Sequence, residues 1–361
     1  MAMMHDSAAV DRAATAATGA AGGQAKSATA FRRLLIVAIF LTFDLILFGS
    51  FVRVADAGLG CPDWPGCYGR VTPIGAIHEI RAEASANPDG PVTVFKAWVE
   101  MLHRYLATAL GVLVIALLWL ARRHPRASVP LAAFTLAWII LQGLFGMWTV
   151  TLKLQPVIVT AHLLGAMVLL GLLFAQANRI DPTPTTPVGA SLNVGAGVLL
   201  AAIVLQIALG GWVSTNYAAL ACPDFPACQG SLWPDMDLRM GFELWRPLGK
   251  TGAGEPLTLQ ALTAIHYVHR LLAYLVLGGV FWLGWRLRAL PSLRTPGNWL
   301  LAVGAAQLVT GLSNIFLEWP AVAQVLHTGG AAALFGLALM IKSRVHRRAG
   351  DAAGRATPAH G

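Results

Sequence analysis

Charge is what this sequence has least of. Lys, Arg, Asp and Glu make up 12% of its 361 residues, where a soluble globular domain carries about 25%. The deficit excludes an ordinary water-soluble protein. Acidic residues are the rarer sign, 17 against 26 Lys and Arg, which leaves a formal charge of +9. Period-2 alternation is missing from the apolar runs, which excludes the strands of a transmembrane barrel. Cysteine occurs four times, never in the C-x-x-C spacing of a redox motif or zinc knuckle. No cleavable signal stands out, and Asp6 and Asp11 spoil the acid-poor signature of a transit peptide.

Apolar length is what the sequence has instead. Hydrophobic residues reach 56% and mean hydropathy is +0.63. A helix needs roughly 20 mostly apolar residues to cross a bilayer. Eight stretches qualify: 34–53, 98–120, 130–150, 156–176, 194–214, 261–285, 298–317 and 321–342. Basic residues gather at alternate ends of this serpentine. Arg32 and Arg33 precede the first span, and Arg122, Arg123 and Arg126 follow the second. Arg286, Arg288 and Arg294 follow the sixth, and Lys342, Arg344, Arg347 and Arg348 follow the eighth. The positive-inside rule then puts both termini in the cytoplasm. Stop-transfer anchoring accounts for the +9 without a nucleic-acid partner. Trp64, Trp98, Trp148, Trp233, Trp245 and Trp319 fit an interfacial belt. The Ala-rich residues 1–30 read as a disordered cytoplasmic tail.

The four cysteines form two copies of one heptapeptide, Cys61-Pro-Asp-Trp-Pro-Gly-Cys67 and Cys222-Pro-Asp-Phe-Pro-Ala-Cys228. Both fall in outer loops, 54–97 and 215–260, in a compartment that permits disulfides. A staple on each loop, a thiol pair passing electrons inward and a four-cysteine metal site all remain open at this point. The duplication extends further. Glu100-Met-Leu-His103-Arg104 in helix two matches His266-Tyr-Val-His269-Arg270 in helix six. Gln142 and Gly146 match Gln307 and Gly311, and His162 matches His327. The expected fold is therefore an all-α membrane protein of eight transmembrane helices, built as two tandem four-helix bundles in the same orientation. The units are 31–176 and 194–345, joined by a cytoplasmic linker, 177–193, that contains Asp181-Pro-Thr-Pro-Thr-Thr-Pro187. Residues 346–361 form a cytoplasmic tail.

Five histidines lie inside spans: His103, His162, His266, His269 and His327. Ionisable groups inside a bilayer are costly and usually functional. His103, His162, His269 and His327 sit about 5–10 residues into their helices, roughly 8–15 Å below the outer boundary. Two histidines at equal depth on neighbouring helices can face each other across a planar macrocycle, the bis-histidine arrangement of haem iron. Zinc suits the sites less, because each unit offers two histidines in a greasy shell. Arg104 and Arg270 follow a histidine directly, and a guanidinium is a natural partner for a haem propionate; Arg53 can serve likewise. Snorkelling to the interface is the alternative reading of these arginines. Glu100 shares a helix face with His103, whereas the second unit has His266 at the corresponding position. The two sites are therefore unequal. Asp44 lies mid-span without an evident partner. His78 lies in a loop, and His5, His124, His346 and His360 lie in tails or cytoplasmic loops; none is expected to ligate.

At Glu100-x-x-His103-Arg104 with His269-Arg270, the chain resembles the haem A synthase family. Gly49-Ser-Phe-Val-Arg53, Ala57-Gly-Leu-Gly60, Gly210-Gly211-Trp-Val and the helix-four and helix-eight histidines add to the match, which spans nearly all of 31–345. The resemblance implies an oxidoreductase that turns the C8 methyl of haem O into the formyl group of haem A, by two successive hydroxylations, for cytochrome oxidase. It implies that His269 and His327, with Arg270, hold a resident haem b. It implies that His103 and His162, with Arg104, hold the substrate haem, with Glu100 as the catalytic carboxylate. It also implies outer-loop disulfides and a bacterial inner-membrane location, and it leaves open whether the chain forms an oligomer. Haem O synthase and an electron donor are the implied partners beyond lipid. If both His103 and His162 ligate the iron, either one releases it in turnover or the haem edge is oxidised and water attacks. A di-haem cytochrome drawing electrons from quinol, and a haem carrier, are the rival readings.

Overall fold

A computed structural model describes residues 6–318 and 320–347. The helices, in chain order, are α1 (Asp6–Val54), α2 (Ile77–Ala86), α3 (Val94–Ala121), α4 (Val129–Thr151), α5 (Pro156–Ile180) and α6 (Ala190–Thr215), followed by α7 (Leu238–Gly241), α8 (Leu259–Arg288), α9 (Arg294–Phe316) and α10 (Ala321–Arg344). Among the described residues, eight helices are long and apolar enough to cross a membrane: α3, α4, α5, α6, α8, α9, α10 and the Ser27–Val54 part of α1. The protein is thus an all-α, multi-pass membrane protein.

Local chemistry sets where the spans begin. Thr93 and Thr258 cap α3 and α8, accepting hydrogen bonds from the Lys96 and Ala261 amides at 3.1 and 3.2 Å. Ser128 caps α4, and prolines occupy the first turns of α4 and α5, where no amide hydrogen is needed.

Three features depart from the sequence reading. Residues 6–30, expected to be a disordered tail, continue α1 as helix. They are alanine-rich and contain no proline, so intrinsic propensity favours the helix. The first loop carries α2. The segments expected to be plain linker and tail contain two strands, β1 (Thr186–Val188) and β2 (Val345–Arg347), which pair in parallel. His5, Trp319, Arg348 and His360 lie outside the described residues.

Packing follows the same scheme in both halves. α1 packs on α3 and α5, and α4 packs on α3 and α5; likewise α6 packs on α8 and α10, and α9 on α8 and α10. The halves meet where α1 touches α10 and α5 touches α6. Apolar cores fill the ends of the helices remote from the cysteine loops. One joins Phe31, Leu117 and Leu173; another joins Leu170, Leu199, Leu283 and Ile341 across the seam. The other ends are hollow. Asp44 lies on the exposed face of α1, and nothing in the structure explains it.

Candidate functional site

The cysteine loops close the hollow end. Cys61 is bonded to Cys67 and Cys222 to Cys228, with Cα atoms 4.9 and 4.6 Å apart. The aspartate within each heptapeptide organises its own turn. Asp63 accepts from the Tyr68 and Gly69 amides at 2.6 and 2.7 Å, and Asp224 from the Gln229 and Gly230 amides at 2.6 and 2.9 Å. Both turns need two left-handed residues, with φ of 50° and 69° in the first and 55° and 74° in the second; a glycine takes the second place each time. The Gly230 amide foremost holds the Asp224 carboxyl below its usual range. A depressed folded value stabilises the turn at neutral pH, and the contribution is lost as pH falls through it. Limited proteolysis of this loop is therefore expected to accelerate as the solution is acidified below the ordinary carboxylate range. Asp224→Asn is expected to remove most of that pH dependence.

Arg104 and Arg270 reach back to these loops. The Arg104 Nη1 donates to the carbonyls of Asp63 (2.9 Å), Pro65 (3.2 Å) and Gly66 (2.6 Å). The Arg270 Nη1 donates to Asp224 (2.9 Å) and Ala227 (2.7 Å), and its Nη2 to Cys222 (3.2 Å). The sequence reading gave these arginines to haem propionates; both line the cavity, but these donors go to loop backbone. Five oxygen-facing donors fan out in one plane from a guanidinium, which suits a curved strip of carbonyls.

Glu100 is buried beneath the first loop. Its Oε2 accepts from the Cys61 amide at 2.9 Å, and its Oε1 is ion-paired with the Arg104 guanidinium. In the second half His266 occupies the corresponding place, with Nδ1 3.1 Å from the Ala218 carbonyl oxygen. Both tie a loop to a helix, but only one brings a carboxylate.

A single cavity of about 1170 Å³ lies below the loops. His103, His162, His269 and His327 all line it, as do Glu100 and Arg53. Each of the four imidazoles lies against a glycine on a neighbouring helix. A methyl built at Gly49, Gly210 or Gly311 would stand 3.3, 3.1 or 3.2 Å from Cε1 of His103, His269 or His327, and one at Gly146 would stand 3.6 Å from Cε1 of His162. The missing side chains let flat rings lie close to helix backbone. Arg53 stands at the seam of the halves. It donates to the Ser214 carbonyl (2.8 Å), pairs with Asp56 (3.3 Å) and lies over the Tyr217 ring (3.9 Å).

The two histidine pairs are held differently. His327 Nδ1 is 2.9 Å from the Thr310 hydroxyl, and the Gln307 amide donates to the His327 carbonyl at 2.9 Å. The Gln206 amide nitrogen stands 3.1 Å from Nδ1 and 3.2 Å from Nε2 of His269, and it donates to the His269 carbonyl at 3.1 Å. By contrast, Nδ1 of both His103 and His162 is buried without a hydrogen-bond partner. Aligning the halves puts Leu45 opposite Gln206 and Phe145 opposite Thr310. Sequence reasoning missed Gln206 and Thr310; the signal was a polar residue in one copy where the other is apolar. Outer partners of this kind fix ring orientation, and losing one typically costs about 10–100-fold in metal affinity. Thr310→Val and Gln206→Leu are each expected to loosen a haem in the second half by a factor in that range, measured as haem transfer to an apoprotein scavenger.

The residues fit a haem. The cavity is apolar, it contains two imidazole pairs, and two buried ring nitrogens lack partners. The other histidines lie elsewhere: His78 on α2, His124 beside Phe31 and His346 in β2.

Fold and site together define a multi-pass membrane protein with paired histidines around one intramembrane cavity. Comparison with known proteins narrows the class. Residues 32–339 match the COX15-CtaA family, described as cytochrome oxidase assembly protein, and the chain belongs to that family. It is 37% identical over 304 residues to a heme A synthase of Shewanella oneidensis, covering 83% of this chain and 92% of that protein. It is 27% identical over 335 residues to a heme A synthase of Parvibaculum lavamentivorans, covering 87% and 93%. It is 29% identical over 327 residues to one of Beijerinckia indica, covering 83% and 88%.

Proposed function

We propose that this protein is a haem A synthase, oxidising the C8 methyl of haem O to a formyl group for cytochrome oxidase. The unequal fixation of the two histidine pairs carries the reading. A resident cofactor is served by rings with a second anchor, as His327 has in Thr310 and His269 has in Gln206, whose amide sits beside its ring and holds its carbonyl. A substrate that must arrive and leave is served by rings with no second anchor, as at His103 and His162. On this reading His269 and His327 hold haem b, and His103 and His162 hold haem O. The two sites belong to tandem four-helix units, 31–176 and 194–345, in one orientation. Both termini lie on the cytoplasmic side of a bacterial inner membrane, a reading supported by the basic residues at the ends of α3, α8 and α10. Haem O synthase and a separate electron donor complete the reaction's partners.

Conversion of a methyl to a formyl group adds one oxygen and removes four electrons and four protons, counted with water as the oxygen source. The iron and its conjugated ring supply the redox chemistry when bound. The chain supplies placement and proton handling. His103 and His162 orient the macrocycle beneath the first loop. Glu100, already paired with Arg104, presents a carboxylate at the cavity wall. There it stabilises positive charge developing at the methyl carbon or takes a proton from attacking water. The disulfide loop above, drawn down by Arg104, keeps bulk water from the site.

The test is expression of the protein with a supply of haem O, followed by chromatography and mass analysis of extracted haems. Hydroxymethyl and formyl products are expected. Haem b alone, reduced by quinol, would instead identify a di-haem cytochrome and overturn the proposal.

A further inference from the structure

The cavity does not end at the same depth in the two halves. In the first half it runs down the cleft between α3 and α4, past Thr108 and Gly111 to Ile115, and past Gly143 and Ile140 to Leu136. From His103 to Ile115 is about 18 Å along the helix. In the second half it stops at Tyr274, Leu277 and Leu308; the counterparts of Ile115, Ile140 and Leu136, which are Phe281, Ala305 and Leu301, do not line it.

Three substitutions between the copies account for this. Thr108, Gly111 and Gly143 stand where the second half has Tyr274, Leu277 and Leu308. A methyl built at Gly111 or Gly143 would meet nothing within 4 Å. In the second half a methyl at Gly304 would stand 2.5 Å from Val280, so α8 and α9 are in close contact and no cleft remains. Gln142, next to Gly143, is 7% exposed and lines the cavity, and its Nε2 has no hydrogen-bond partner. Its counterpart Gln307 spends the same nitrogen on the His327 carbonyl. The Gln142 nitrogen lies against Gly165 of α5, where an added methyl would overlap it, and the cleft itself is lined by apolar side chains, glycine and Thr108.

We infer that the α3–α4 cleft, with Thr108, Gly111 and Gly143 as its floor, seats the long isoprenoid chain of the substrate haem. This rests on the proposed function and names the feature that tells the two haems apart. Haem O carries such a chain, with a hydroxyl where it joins the ring, and haem b does not. The cleft suits the chain in shape, a long apolar slot for a long apolar tail. The second half, closed by Tyr274, Leu277 and Leu308, accepts only a haem without a tail.

The test copies the closed half onto the open one. Gly111→Leu/Gly143→Leu is made in the full-length protein, and haem O and haem b are titrated separately by Soret absorbance. Haem O affinity is expected to fall at least tenfold while haem b affinity stays within twofold. Unchanged haem O affinity would overturn the assignment. If the double variant does not fold, Thr108→Tyr, at an exposed position, reads the same ratio, and an unchanged ratio there overturns it equally. The readout is binding, so it separates from turnover. Wild-type protein that prefers haem O through this cleft but yields no formyl product would refute the synthase and leave the seat standing.

Discussion

Glu100→Gln is expected to keep its haems and lose conversion of the methyl group by about two to four orders of magnitude, the usual reach of a positioned proton-transfer group. The substitution is close to isosteric. Its amide oxygen can still accept from the Cys61 amide, now 2.9 Å from Oε2, so the loop stays seated. What disappears is negative charge at the cavity wall. Glu100→His, which copies His266, is expected to give the same outcome with a site that resembles the second half. Haem content by pyridine haemochrome and product by chromatography separate binding from chemistry. Full conversion by Glu100→Gln would remove Glu100 from the mechanism and leave it as a loop anchor.

Arg104→Ala is expected to destabilise the protein by about 3–5 kcal/mol, because it strands a buried carboxylate. It also frees the carbonyls of Asp63, Pro65 and Gly66. Neutralising the stranded group should recover part of that loss, so Glu100→Gln/Arg104→Ala is expected to be more stable than Arg104→Ala alone. The double-mutant cycle then gives a coupling energy of the size seen between contacting charges, about 0.5–3 kcal/mol. Activity should remain absent in both. Arg270→Ala has no carboxylate to strand, so its cost comes from the loop carbonyls alone, and His266→Ala should not relieve it. Lysine at 104 is a poor substitute, since one ammonium cannot span Glu100 and three carbonyls. A double variant no more stable than Arg104→Ala would show that the ion pair contributes nothing. Thermal unfolding in detergent, followed by loss of the helical signal, measures all of these.

Much of this was legible in the sequence. The eight spans follow from apolar length, because an uninterrupted run of about 20 such residues has few other uses. Their ends drift by a few residues because capping, by Thr93 or Thr258, extends helix beyond the apolar run. The four cavity histidines were readable from their repetition, and so was the Glu100 and His266 difference. The loop contacts of Arg104 and Arg270 were not. Sequence shows an arginine after a histidine, but not that the chain returns some 40 residues away to offer it a ring of carbonyls. Gly49 and Gly210 were visible as motif, but the reason for them, an imidazole lying against each, exists only in three dimensions. Gln206, Thr310, Gly111 and Gly143 are informative only through what stands opposite them in the other half. That comparison gains meaning once the helices are known to pack alike. The parallel pairing of β1 with β2 left no trace, since three-residue strands carry too little pattern to read.

The central claim is that two pairs of imidazoles grip two haems, one firmly and one loosely. Optical and electron paramagnetic resonance spectra of purified protein, reconstituted with haem b and haem O, test it most directly. The account requires a Soret band and two low-spin haems per chain. His269→Ala or His327→Ala should abolish the tightly held one, and His103→Ala or His162→Ala only the exchangeable one. A protein with no Soret absorbance after reconstitution, or one whose haems survive all four substitutions, would contradict it.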